Sequence, residues 1–532
     1  MGKNSYILLL LHAHLPFVRR PDIKAALEED WLFEALTETY LPLLEMVGRL
    51  QKDGIPHKIT ISLSPTLVSM LQDPLLVARY KDHMARSITL ASAEAERLQG
   101  DKDLGPVAAM YRDWFIQADG IFRNRLKGDV TGAFAALVEQ GSASLITTAA
   151  THAYLPLIST NPAAVETQIK TAVDFFAKTF GAGPEGFWLP ECGYEPGVEN
   201  ILAAHGIKYF FVDAHGVLGG KPAPPAGTMA PIMAPPGVAV FGRDLESSRQ
   251  IWNPDTGYPG HPSYRDFYRD QGYELDLSLL ADYLAPYGHR KMTGLKYHRI
   301  TGGGGEKDTY NIQAGERMAL EHAGDFYKSR VKQAEGAEMG ATPPLFVAPF
   351  DAELFGHWWH EGVTFLEALI RKTAEPGSVL KTITAGEYLA LHPDLHQARP
   401  AASSWGLGGH SQMWLDGSND WIYRHLHKAA DRMSRLAERY ATAGPAEKRA
   451  LDQAARELLL AQSSDWPFMM KTGAMSGFAA RRVEEHLANF NRLWDGIMAG
   501  RVEMEFLEGL EKTNNIFPNS DFSCYIRTDR KP

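Results

Sequence analysis

The chain has 532 residues, 45% of them hydrophobic and 22% charged, which excludes a disordered or fibrous protein and allows a large buried core. Lys plus Arg number 54 against 64 Asp plus Glu, a formal charge of −10, and that balance excludes a general nucleic-acid binder. Two cysteines, Cys192 and Cys524, are too few for a disulfide framework and fit a reducing, cytoplasmic setting.

The first apolar run, Tyr6 to Leu11, is too short for a signal-peptide core or a membrane span. It reads as a buried strand that delivers His12 and His14. The Met1-Gly2 start matches only part of an N-myristoylation signal, because Ser5 lies one place before the usual hydroxyl. Trp31–Asp53 is amphipathic and predicts a helix. KITISL (58–63) is a second strand, followed by Ser64-Pro65. Residues 73–140 have helical stretches and little strand signal, and so predict a helical insertion. LITTAA (145–150) leads to Thr151-His152, and Pro162–Phe180 is again amphipathic. GFWLP (186–190) leads to Glu191, YFFV (209–212) to Asp213 and His215, and LFVAPF (345–350) to Asp351. These runs are apolar throughout instead of alternating, as in buried parallel strands. Strands alternating with helices imply an α/β fold around a parallel sheet, and polar residues gathered after the strands place a site at the top of a barrel. KPAPPAGTMAPIMAPPG, within 219–237, is too rich in Pro and Gly for a helix or a central strand, and reads as either a lid or a surface loop. TGGGG (301–305) is a further flexible point. Beyond about residue 395, Trp421–Thr442, Glu447–Gln462 and Gly477–Met498 have helical periodicity. The expected units are 1–72 and 141–395 for the barrel, 73–140 for the insertion and 396–532 for a C-terminal helical domain.

Glu191 and Asp351 each follow an apolar run directly. Two such carboxylates suit retaining glycoside cleavage, one as nucleophile and one as acid/base; strand-end carboxylates tied to helix N-termini or arginines are the alternative. His12 and His14, in HAH, project to one side of a strand end. They could hold a metal, with His152, Asp213 and His215 extending the set, or they could hydrogen-bond hydroxyls. Trp188, Trp252, Trp358, Trp359, Trp405, Trp414 and Trp421 lie near Gly, His or Asp, as pocket walls do. Cys192 reads as a small buried filler.

At these residues the chain resembles glycoside hydrolase family 57, closest to its 1,4-α-glucan branching enzyme group. HAHLPFVR (12–19), TTAATHAYLP (147–156), WLPECGYEPG (188–197) and APFDAELFGHWWHEG (348–362) look like its motifs, as do VDAHG (212–216), FGRDLESSRQIWNPDTGYPG (241–260), KYHRITG (296–302) and SSDWPFMMKTG (463–473). The resemblance implies an incomplete (β/α)7 barrel with an inserted helical domain and a C-terminal helical domain. It implies Glu191 as nucleophile and Asp351 as acid/base. His12, His14, His152, Asp213, Arg243, Trp252, Trp358, Trp405, Trp414 and Asp465 become substrate-binding residues. The implied substrate is α-1,4-glucan such as amylose or glycogen, in glycogen metabolism, with no metal or organic cofactor. No membrane or nucleic-acid partner is implied.

Two regions depart from the family pattern. Ser144 stands where Glu is common, and Ala226 and Met229 stand where the lid carries tyrosines. Without a lid aromatic to exclude water, hydrolysis would compete with transfer. A hydrolytic α-glucanase of the same family is therefore the second expectation. A metal-dependent polysaccharide deacetylase, suggested by His12 and His14, and a catalytically silent glucan binder are more distant ones.

Overall fold

The computed structural model describes residues 4–526 apart from 254, 303–306 and 340–341. The Met1-Gly2 start and residues 303–305 of the TGGGG run lie outside the described residues. Among the described residues, ten strands form one curled sheet: β1 (Ser5–Ala13), β2 (Ile59–Leu63), β3 (Ala143–Thr148), β4 (Gly186–Trp188), β5 (Tyr209–Val212), β6 (Ile232–Ala234), β7 (Val238–Gly242), β8 (Leu345–Asp351), β9 (Leu380–Thr382) and β10 (His396–Gln397). The order is β10-β6-β7-β5-β4-β3-β2-β1-β8, with β9 also on β1. All neighbours are parallel except β6 and β7. The parallel run from β7 to β8 curls into the incomplete barrel. At its seam, the Asp244 backbone N–H reaches the Val347 carbonyl at 2.8 Å.

Alternate residues of each strand face the lumen. Leu8 and Leu10, Tyr209 and Phe211, Ala239 and Phe241, and Leu345 and Val347 share one inner cluster. Ile7, Leu9 and Leu11 pack outward against helices in the main core. Extending the inner rows by two or four residues gives His12, Asp213, Arg243 and Asp351. The sequence periodicity thus aims these polar groups at the barrel mouth.

Helices fill 65–139 between β2 and β3. The Trp31–Asp53 helix is observed over 29–52, interrupted by one π-helical turn at Leu36–Tyr40. After the sheet, Trp421–Arg439, Pro445–Ala461, Asp465–Thr472, Ser476–Met498 and Met504–Thr513 are helical, and most of them share a core of their own. Among the described residues no helix is long and apolar enough to cross a membrane.

The Pro-rich stretch 219–237 corrects one expectation, because it contains β6, which lies between β10 and β7. Ile232–Ala234 fits between Pro231 and Pro235, so both prolines fall just outside the ladder and no donor is missing within it. The Met229 carbonyl accepts the Leu345 backbone N–H at 2.8 Å, which ties the stretch to the start of β8.

Candidate active site

A cavity of about 600 Å³ opens at the C-terminal ends of the strands. Its lining includes Glu191, Asp351, His12, His14, His152, Arg243, Trp252, Trp358, Trp405, Trp414 and Asp465. In-register pairing sets His12 beside Asp351 on one flank and Ser62 on the other.

Glu191 sits on a single 3-10 turn after β4 with left-handed backbone, φ 61°, followed by Cys192 at φ 52°. His152 is left-handed too, at φ 58°. These are three of the six non-glycine residues with positive φ among the described residues, and such conformations persist only where surrounding contacts enforce them. Here the contacts are explicit. Trp405 Nε1 donates to Glu191 Oε2 at 2.8 Å, and Ser464 Oγ to Oε1 at 3.0 Å. The Trp405 backbone N–H donates to the Glu191 carbonyl at 3.0 Å.

Burial raises the Glu191 carboxyl to about 6, against the pull of the Trp405 and Ser464 bonds. Burial pushes Asp351 well above the usual carboxylate range, and the charges of Glu353 and Glu191 push the same way. At neutral pH this leaves Glu191 ionised and Asp351 the better proton donor, the division of labour that a retaining pair needs.

The histidines form a directed chain. Ionised Glu191 only accepts, so the one proton of Ser464 Oγ is committed to it. Ser464 Oγ therefore accepts from His152 Nδ1, at 2.8 Å. Burial holds His152 and His12 well below the usual imidazole range, so each carries one N–H. His152 Nε2 must then accept from His12 Nε2 at 2.9 Å, and His12 Nδ1 accepts from Ser62 Oγ at 3.0 Å. Every proton from Ser62 to Glu191 is fixed by the carboxylate at the end.

His14, His152 and Asp465 place ligand atoms within 4.8 Å of one another. Their bonding does not suit a cation. His14 Nε2 is bonded directly to Asp465 Oδ2 at 2.9 Å, and both nitrogens of His152 are already engaged. Burial works to raise Asp465, but the His14 ring outweighs it and the carboxyl falls to about 2.

The π-helical turn supports the loop after β8. Tyr40 OH donates to Glu353 Oε1, which also accepts the His14 backbone N–H, and Glu38 Oε2 bonds His357 Nδ1 at 2.7 Å. Gly356, at φ 102°, allows that approach; a Cβ there would stand 1.8 Å from the Glu38 carbonyl oxygen.

The family description "Glycosyl hydrolase family 57" matches residues 8–399, and "1,4-alpha-glucan branching enzyme, C-terminal" matches 425–525. The chain belongs to glycosyl hydrolase family 57. It is similar to the α-amylase AmyC of Thermotoga maritima, with 41% identity, a TM-score of 0.92 and coverage of 98% of this chain and 99% of that one. It is also similar to a family 57 branching enzyme of Pyrococcus horikoshii, at 31% identity and a TM-score of 0.89 over 99% of this chain and 97% of that one. A 1,4-α-glucan branching enzyme of Thermococcus kodakarensis is 32% identical over 97% of this chain and 77% of its own length.

Of the twelve residues that the family resemblance assigns to the site, all line the cavity except Asp213. Asp213 holds Arg243 at 2.6 Å and His215 at 3.3 Å from behind. Trp414 lines the cavity but is buried, with Tyr154 stacked on it at 4.4 Å. Trp188 and Trp359 are core residues. Trp421 packs against the helical core of the C-terminal region. Cys192 is buried and unpaired, a filler as expected. Sequence reading missed Glu353, Ser464, Tyr40 and Ser62. Glu353 has the parity of Asp351 two places on, and Ser464 precedes Asp465 in SSDW; Tyr40 and Ser62 gave no signal.

Proposed function

We propose that this chain is a 1,4-α-glucan branching enzyme that transfers an α-1,4-glucan segment to a 6-hydroxyl with retention. Glu191 attacks the anomeric carbon while Asp351 gives its proton to the departing glycosidic oxygen. The acceptor 6-hydroxyl then loses its proton to Asp351 and displaces Glu191, so both carboxyls return to their starting states. Histidines and Asp465 suit the hydroxyls of the reacting glucose, and the indoles suit its apolar faces. One observation carries the reading: the region matched to branching-enzyme C-termini supplies Ser464 to the nucleophile at 3.0 Å. Glycogen synthesis in the cytoplasm belongs to the same reading, in line with the two unpaired cysteines.

A second reading, an α-amylase-type hydrolase, is favoured by the likeness to AmyC. Incubation with amylose separates the two. Branching gives new α-1,6 linkages by proton NMR with few new reducing ends, whereas reducing ends without α-1,6 linkages would make it a hydrolase. Glu191→Gln should lower either activity roughly 10⁴-fold or more while leaving glucan binding; unchanged turnover would remove Glu191 from the role of nucleophile.

A further inference from the structure

Among the described residues, the large aromatic side chains left exposed are Trp252, Tyr268, Tyr273, Trp358 and Phe468. Trp252, Trp358 and Phe468 line the catalytic cavity. Tyr268, 76% exposed, does not, yet it connects to it. The Phe267 ring lies 4.3 Å from that of Trp358 at an interplanar angle of 34°, and the Tyr268 ring lies 5.3 Å from that of Phe267. Aromatic surface thus continues outward from the cavity across three rings.

The outer end of this row is anchored. The Tyr268 backbone N–H donates to Asp266 Oδ1 at 2.9 Å, and the Asp266 backbone N–H donates to the His298 carbonyl at 2.8 Å. The Asp266 carboxylate pairs with Lys307 at 3.0 Å. The Lys296 ammonium, buried and paired with Asp270, stands 4.9 Å from the Phe267 ring centre. A tyrosine this exposed gains little from folding, and one on an anchored backbone loses little backbone freedom when a ligand covers it.

We propose that Trp358, Phe267 and Tyr268 form an outer binding ridge for the stretch of an α-1,4-glucan chain that lies beyond the reacting glucose units. The inference rests on the glucan reading of the site. Its occupant follows from continuity: the row starts at a cavity-lining ring, and a neutral pyranose chain leaving that cavity meets faces suited to its C–H surfaces. Energy gained on the ridge is open to long chains and closed to short ones, so the ridge selects for chain length.

The test compares the full-length protein with Tyr268→Ala and Tyr268→Trp, on long amylose and on a short maltooligosaccharide, in the same preparations. The expected result is a fall of about three- to tenfold in the long-to-short ratio of kcat/KM for Tyr268→Ala, with the ratio kept in Tyr268→Trp. An unchanged ratio, or equal losses on both substrates, would overturn the ridge. Retardation in native gels containing soluble starch gives a readout independent of turnover. A protein without turnover that starch retards, and that Tyr268→Ala releases, would keep the ridge and discard the enzymatic reading. No retardation of a parent protein that turns over amylose would discard the ridge and keep the enzymatic reading.

Discussion

Trp405 holds Glu191 twice, through its indole N–H to the carboxylate at 2.8 Å and through its backbone N–H to the carbonyl at 3.0 Å. The first bond favours the ionised carboxylate, and the second supports the left-handed turn that carries it. Trp405→Phe should keep the second and lose the first. Without that donor the Glu191 carboxyl rises further, so the acidic limb of the kcat/KM profile moves up by about one pH unit. The rate at neutral pH should fall roughly 10- to 100-fold. An unmoved acidic limb would show that the indole N–H does not bear on the carboxylate.

The two carboxyls predict a bell-shaped pH profile, with its acidic limb near pH 6 from Glu191 and its alkaline limb from loss of the Asp351 proton. Their raised values also cost stability. A carboxyl that binds its proton more tightly folded than unfolded stabilises the fold fully below its unfolded value, and loses that contribution as pH rises through the folded one. Asp351→Asn removes the loss. Its Tm at neutral pH should therefore rise by about 1–3 °C while activity collapses, as a thermal melt beside an amylose assay would read. A lower Tm would mean that the Asp351 carboxyl is not held in a destabilising site.

Exhaustive chelation should leave turnover unchanged, because His14, His152 and Asp465 spend their donor atoms on one another and on Ser464 and His12. Loss of activity with chelator, restored by one divalent cation, would replace the hydrogen-bonded reading with a metal site.

Ala226→Tyr with Met229→Tyr tests the lid positions. Neither residue lines the cavity, and the Met229 carbonyl is fixed to Leu345. The ratio of branches to reducing ends should change by less than about twofold. A large gain in branching would show that the stretch reaches the site during turnover.

Much of the barrel was legible because its parallel strands are buried on both faces and read as unbroken apolar runs. Glu191 and Asp351 stood out for the same reason, as the first charges after such runs. β6 was hidden because it is only three residues long between two prolines. Asp213 was legible as a strand-end carboxylate, but not that Arg243 would claim its side chain. Tyr40 was invisible because a π-helical turn, which shifts the facing of a helix, leaves no periodic mark in an amphipathic pattern. Ser464 carries no charge and depends on a contact made across 273 residues of chain, which no local pattern encodes.

That separation bears on biosynthesis. The two side chains that hold the Glu191 carboxylate follow it by 214 and 273 residues. At about 5–20 residues per second, a ribosome needs roughly 15–50 s to pass from Glu191 to Ser464. A half-made chain can complete several strands of the barrel, yet its Glu191 carboxylate has neither donor. Both donors are in place only once residues 405 and 464 have emerged and docked, so a nascent or truncated chain works far more slowly on the polymer around it.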